Sequence, residues 1–163
     1  MTSREREELF RRYEEGPELL RATWDQVPAE ARQWRPAPGK WSAHEVVVHC
    51  ADSETNSAMR IRYLAGEESP LIVGYDQDRW ATDLDYHRFS PELSLRQIES
   101  TRRWTAEFIR KLPEVAWSRA GKHTEFDDPY TAEQWLKIYA EHLEIHMRQL
   151  QRNIAAWKAR GQK

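Results

Sequence analysis

A chain of 163 residues, 32% charged and 39% hydrophobic, reads as one soluble globular domain with room for a core rather than a disordered or membrane-spanning protein. A formal net charge of -2 and a pI near 6.3 give no electrostatic ground for nucleic-acid binding, and no apolar run reaches the roughly 18 residues of a membrane span. The charged opening MTSREREELF lacks the apolar centre of a signal peptide, and the lone Cys50 excludes an internal disulfide framework, so the expected setting is a reducing cytoplasm.

The first helix is expected over residues 3–27, with Leu9, Phe10, Tyr13, Leu19, Leu20 and Trp24 as its apolar positions. Gly16-Pro17 interrupts it. Proline lacks the backbone donor and crowds the preceding turn, which predicts a kink or a break. WRPAPGK, residues 34–40, reads as a loop. Ser42 is an N-cap candidate, with Glu45 closing a capping box. The second helix follows over 43–65 and stops near Gly66. Its inward stripe is Val46, His49, Cys50, Ser53, Ser57, Ile61 and Leu64. The small residues in its middle admit a neighbouring helix or leave space beside His49.

Residues 66–91 form a long connection, of the kind that crosses a bundle end and returns the chain in the same direction. The third helix is expected over 92–112, with Leu95, Ile98, Thr105, Phe108, Ile109 and Leu112 inward. Residues 113–130 read as irregular, and Thr131 caps the last helix. That helix carries the stripe Trp135, Ile138, Tyr139, His142, Ile145, His146, Gln149, Asn153 and Trp157. No stretch alternates well enough to predict a sheet. The expectation is an all-α protein, a four-helix bundle forming one domain over 1–163. Its eight tryptophans serve as core plugs or line a pocket.

Three histidines stand out on inward faces. His142 and His146, four apart, share one face of a helix, with Cβ atoms about 5–6 Å apart. His49 lies on the apolar face of another helix. Three inward imidazoles can hold a divalent ion and leave it an open position. A single histidine on such a face is more often a hydrogen-bonded core residue. The H-x-x-x-H spacing raises the odds of ligation, but Leu143 stands where a zincin protease carries its catalytic glutamate. His44 is expected to face solvent, and Glu141 to point outward. His87 and His123 lie in irregular segments, and His123 is close enough to a bundle end to compete. Cys50 is expected to pack.

GKWSAHEVVVHCADSE, the following N-x-x-x-R-I-R-Y-L, the YDQDRW segment and the closing EHLEIHMRQL together resemble the DinB-like superfamily, in its YfiT-like branch of metal-dependent hydrolases. The resemblance implies an up-down-down-up bundle, which agrees with the long crossover between helices two and three. It places the metal triad on His49, His142 and His146, and implies nickel or zinc. Members include thiol-dependent transferases and isomerases. A divalent ion held by neutral imidazoles acidifies either a bound water or a bound thiol, so hydrolysis and thiol transfer are two uses of one site.

The expected function is therefore a metal-dependent enzyme acting on a small molecule, with water or a low-molecular-weight thiol as second reactant. The alternatives are a non-catalytic metal- or ligand-binding bundle, or a stress-linked interaction protein. Pocket walls are expected from Asp52, Ser53 and Asn56. Tyr75, Asp76 and Trp80 are expected at the pocket mouth, although Trp80 alone could simply pin its loop. Nucleic acid and membrane are not expected as partners; a homodimer is.

Overall fold

The computed structural model describes residues 1–127 and 129–160. Four long helices form the body: α1 (Ser3–Trp24), α2 (Ala43–Gly66), α4 (Pro91–Arg110) and α5 (Ala132–Arg160), with a short α3 (Gln77–Asp83) in the crossover. Their starts are written in the sequence. Thr2 and Ser42 each close a capping box, with Glu5 and Glu45. Ser90 accepts from the Leu93 amide, and Pro91 sits in the first turn of α4, where its missing donor costs nothing. Thr131 and Gln134 exchange backbone-to-side-chain bonds at the head of α5.

Cross-helix contacts fix the directions. Met1 meets Glu133 and Arg12 meets Glu144, so α1 and α5 run parallel. Arg21 meets Glu92 while Arg110 meets Glu7 and Glu14, so α1 and α4 run antiparallel. Trp41 meets Asn153 and Ser57 meets Trp135, so α2 opposes α5. The order is up-down-down-up, as the long crossover requires. Two apolar clusters fill the bundle, one around Leu20, Val47, Cys50, Ile98 and Leu143, the other around Tyr13, Ile61, Ile109, Trp135 and Leu136.

Several expectations need correction. Helix one ends at Trp24, and it continues helical through Gly16-Pro17. The carbonyl that Pro17 deprives of a helical donor, that of Tyr13, accepts from Arg102 Nη1 at 2.7 Å instead, so the chain has no unmet carbonyl to escape. A small sheet exists: β1 (Leu71–Ile72) pairs in parallel with β2 (Ala120–His123), which pairs antiparallel with β3 (Tyr130–Thr131). Strands of two to four residues are too short to show alternation in sequence. Gly121 is required in β2, because a Cβ there would lie 2.5 Å from the Pro70 carbonyl oxygen. His44 is buried rather than solvent-facing: the turn Tyr86–Arg88 folds over the head of α2, and His44 Nε2 bonds the Phe89 carbonyl at 2.8 Å. On α5, Ile138 and Ile145 are exposed, whereas Leu136, Ala140, Leu143 and Leu150 are buried. This helix packs on α1 as well as α2, so its buried arc is turned toward α1 and the histidines lie at its edge.

Candidate metal centre

The antiparallel register of α2 on α5 brings His49 opposite His142 and His146. Ring centroids are 5.7 Å apart for His49–His142, 4.8 Å for His49–His146 and 4.7 Å for His142–His146. One nitrogen from each ring lies within 4.8 Å of the other two. Small residues make this approach possible: Ser53 and Ser57 of α2 leave room for the α5 side chains.

Each ring has a different outer contact. His142 Nδ1 lies 3.0 Å from Glu54 Oε1, and His146 Nδ1 lies 3.0 Å from Gln149 Oε1. With Nδ1 donating in both, Nε2 carries the free lone pair. His49 is buried against the Trp41 ring, 4.7 Å between centroids, and its Nδ1 finds no hydrogen-bond partner among the described residues. Burial first, then the neighbouring imidazoles, hold His49 well below the ordinary histidine range. Burial, with His142 next, brings His146 down to about 3. At neutral pH these two rings are uncharged, the form that ligates metal. Three converging imidazole nitrogens with no hydrogen bonds among them, one of them on a ring with an orphaned buried nitrogen, fit a divalent cation.

A cavity of about 690 Å³ opens beside the triad, its walls including His49, His142, Ser53, Arg60, Tyr75 and Tyr139. Arg60 donates to the Tyr139 hydroxyl at 3.1 Å and to the Val73 carbonyl at 2.9 Å. Asp76, Asp78 and Glu125 stand at the rim, so the cavity offers one cation facing several carboxylates. Tyr75 and Asp76 thus border the site. Trp80 does not line the cavity; it stacks on Tyr75 at 4.2 Å and packs with Val48 and Tyr86, pinning the segment. Asp52 and Asn56 face elsewhere. Asp52 accepts from the Tyr86 hydroxyl at 2.6 Å, and Asn56 donates back to the Asp52 carbonyl at 2.9 Å. His123 lies apart from the triad, between Phe126 and Tyr130.

Sequence reasoning missed Glu54, Arg60 and Arg102. Burial alone would raise the Glu54 carboxyl, but the Arg102 charge and hydrogen bonds from His142 and Arg102 bring it down to about 2. Cys50 is fully buried, and burial pushes its thiol well up, so it is no nucleophile. No helix among the described residues is long and apolar enough to cross a membrane.

Comparison with known proteins gives a consistent picture. The sequence profile of the DinB superfamily matches residues 12–150. A protein of Oceanobacillus iheyensis named "putative metal-dependent hydrolase" is 30% identical over 140 residues, 86% of this chain and 80% of that one. YfiT of Bacillus subtilis, with the same designation, is 33% identical over 110 residues, 67% of this chain and 61% of its own. The solved structure of YfiT, described as a four-helix bundle of unusual topology, superposes with a TM-score of 0.87 at 24% identity, covering 94% of this chain and 87% of that one.

Proposed function

This chain belongs to the DinB superfamily, and on that footing we propose that it is a metal-dependent enzyme acting on a small molecule. The observation that carries the reading is the convergence of three imidazole nitrogens within 4.8 Å, with His49 and His142 in the wall of an open cavity. His49, His142 and His146 would hold a divalent ion, nickel or zinc by the family resemblance. Such an ion supplies Lewis acidity, bringing a bound water or thiol into the ionising range near neutral pH.

The chain's own residues supply the rest. The cavity falls in the size range of small-molecule sites. Arg60 would hold an anionic group of the substrate, and Asp76, Asp78 and Glu125 favour a substrate that also carries a positive or donor-rich group. The aromatic Tyr75 and Tyr139 walls restrict water on one side.

Hydrolysis is the first reading, in line with what relatives are named for. Thiol transfer is the second. It is supported by the size of the cavity next to the triad, and its thiol would come from outside, because Cys50 is sealed in the core. The test is an activity screen on protein of known metal content. Model esters and amides are offered alone and with glutathione, mycothiol or bacillithiol. Hydrolysis that stops on chelation supports the first reading. Turnover only with a thiol supports the second. A metal-loaded protein that does neither is a non-catalytic binding bundle.

A further inference from the structure

The apolar stripe of α4 runs Leu95, Ile98, Arg102, Thr105, Ile109, with an arginine at its centre that is 1% exposed. Its guanidinium touches all three other long helices. Nε and Nη2 donate to the two oxygens of Glu54 on α2 at 2.9 and 2.8 Å. Nη2 also reaches the Tyr139 carbonyl on α5 at 2.6 Å, and Nη1 the Tyr13 carbonyl on α1 at 2.7 Å.

Two residues of α1 make this seat. Pro17 has no N–H, so the Tyr13 carbonyl one turn earlier is left without its helical donor and is open to Arg102. Gly16 supplies the space, since a Cβ there would lie 2.7 Å from Arg102 Nη1. The carboxylate that Arg102 fixes has one further partner. Glu54 Oε1 also accepts from His142 Nδ1 at 3.0 Å. Glu54 is itself 0% exposed, so that oxygen is shielded from bulk solvent. The three imidazoles are therefore not equivalent. His142 has an ionised acceptor, His146 a neutral amide, and His49 Nδ1 none among the described residues.

We propose that Glu54 is a positioning residue of the metal centre: clamped by Arg102, it holds His142 in the Nδ1–H tautomer with Nε2 aimed into the site. Through Gly16 and Pro17 the clamp is seated on α1, a helix that contributes no histidine. A buried ion pair that served packing alone would need only Arg102 and Glu54. The third bond, to a ring at the cavity wall, is what a ligand-orienting role adds. Such outer contacts fix the ring and strengthen the ligand, and their loss weakens metal binding by about 10–100-fold. The inference rests on the triad being a metal site, as proposed above.

Its first test needs neither metal nor a variant. Long-range ¹H–¹⁵N spectra of the metal-free protein should show His142 with Nδ1 protonated and Nε2 bare. A wild-type His142 in the Nε2–H form overturns the proposal. The second test compares Zn²⁺ dissociation constants, by chelator competition, for wild type and Glu54→Gln. Because Glu54→Gln strands the Arg102 charge, a companion variant combines Glu54→Met, Arg102→Met and Pro17→Ala. It removes both charges and returns a helical donor to the Tyr13 carbonyl. Zn²⁺ binding weaker by about 10–100-fold in the folded variants, with loss of the Nδ1–H form in the triple variant, which leaves His142 no acceptor, is the expected result. Wild-type affinity and tautomer in the folded triple variant overturn it. Failure of the wild type to bind Zn²⁺ or Ni²⁺ would count against the proposed function, while the tautomer measurement still decides the role of Glu54.

Discussion

Replacing Arg102 by methionine should be among the costliest single changes in this bundle, and its cost should depend on pH. Arg102 and Glu54 are 1% and 0% exposed, so the variant keeps an ionised carboxylate in the core with no counter-charge. Removing one member of a buried pair costs about 3–5 kcal/mol. In the wild type Glu54 is depressed to about 2, so its contribution is fully present above the unfolded carboxyl range, near 4.3, and is lost only as pH falls toward about 2. That contribution is therefore constant between pH 8 and 5. In the variant, burial without Arg102 raises the Glu54 carboxyl above its unfolded value. Stability of the variant then improves as pH falls and the group takes up a proton, and the gap to wild type narrows. Urea melts followed by circular dichroism at pH 8, 6.5 and 5 read both effects. A loss below about 1 kcal/mol, typical of an ordinary substitution, or a loss equal at pH 8 and pH 5, would refute the reasoning.

Gly16→Ala should lower stability despite alanine's better helix propensity. The new Cβ would sit 2.7 Å from Arg102 Nη1 and 3.2 Å from Leu143 Cδ1, and Arg102 is pinned by its bonds; overpacking of this kind costs about 1–3 kcal/mol, read as a drop in Tm. Ser42→Ala removes the cap of α2 and the 2.8 Å contact with His87, for an expected loss of about 1–2 kcal/mol in a denaturant titration; no change would mean the capping box is idle. Arg60→Ala should raise KM for an anionic substrate while leaving metal content unchanged. Equal KM for charged and neutral substrates in both proteins would remove Arg60 from the binding site.

Periodicity and capping carried the bundle. Ser42 with Glu45 and Thr131 with Gln134 mark the heads of the two helices that bring the histidines, and the 66–91 crossover carried the topology. The same spacing held the signal for the missed pair. Arg102 falls on the stripe of Ile98, Thr105 and Ile109, and Glu54 on that of Cys50, Ser57, Ile61 and Leu64. Opposite charges on two buried stripes point to a pairing, but only the three-dimensional register of α2 on α4 and α5 shows that His142 joins it. Asn56 illustrates the opposite limit. It lies seven residues after His49, nearly on the same helix face, yet its amide donates back to the Asp52 carbonyl one turn earlier, a local side-chain-to-backbone bond that helical spacing does not reveal. The exposed Ile138 and Ile145 show that helical spacing fixes a stripe's period, while its centre depends on which neighbours cover it. The small sheet and the turn over His44 arise from long-range contacts that leave no local pattern.

The central claim, that three histidines hold one ion, is tested most directly by metal stoichiometry. Wild type and His142→Ala are each equilibrated with Zn²⁺ or Ni²⁺, desalted and measured by plasma mass spectrometry, with circular dichroism confirming unchanged helix content. The structure leads us to expect about one ion per wild-type chain and almost none in the variant, because losing one of three nitrogens dismantles the site. Equal metal content in the two proteins, or a folded wild type that retains no ion, would contradict the account.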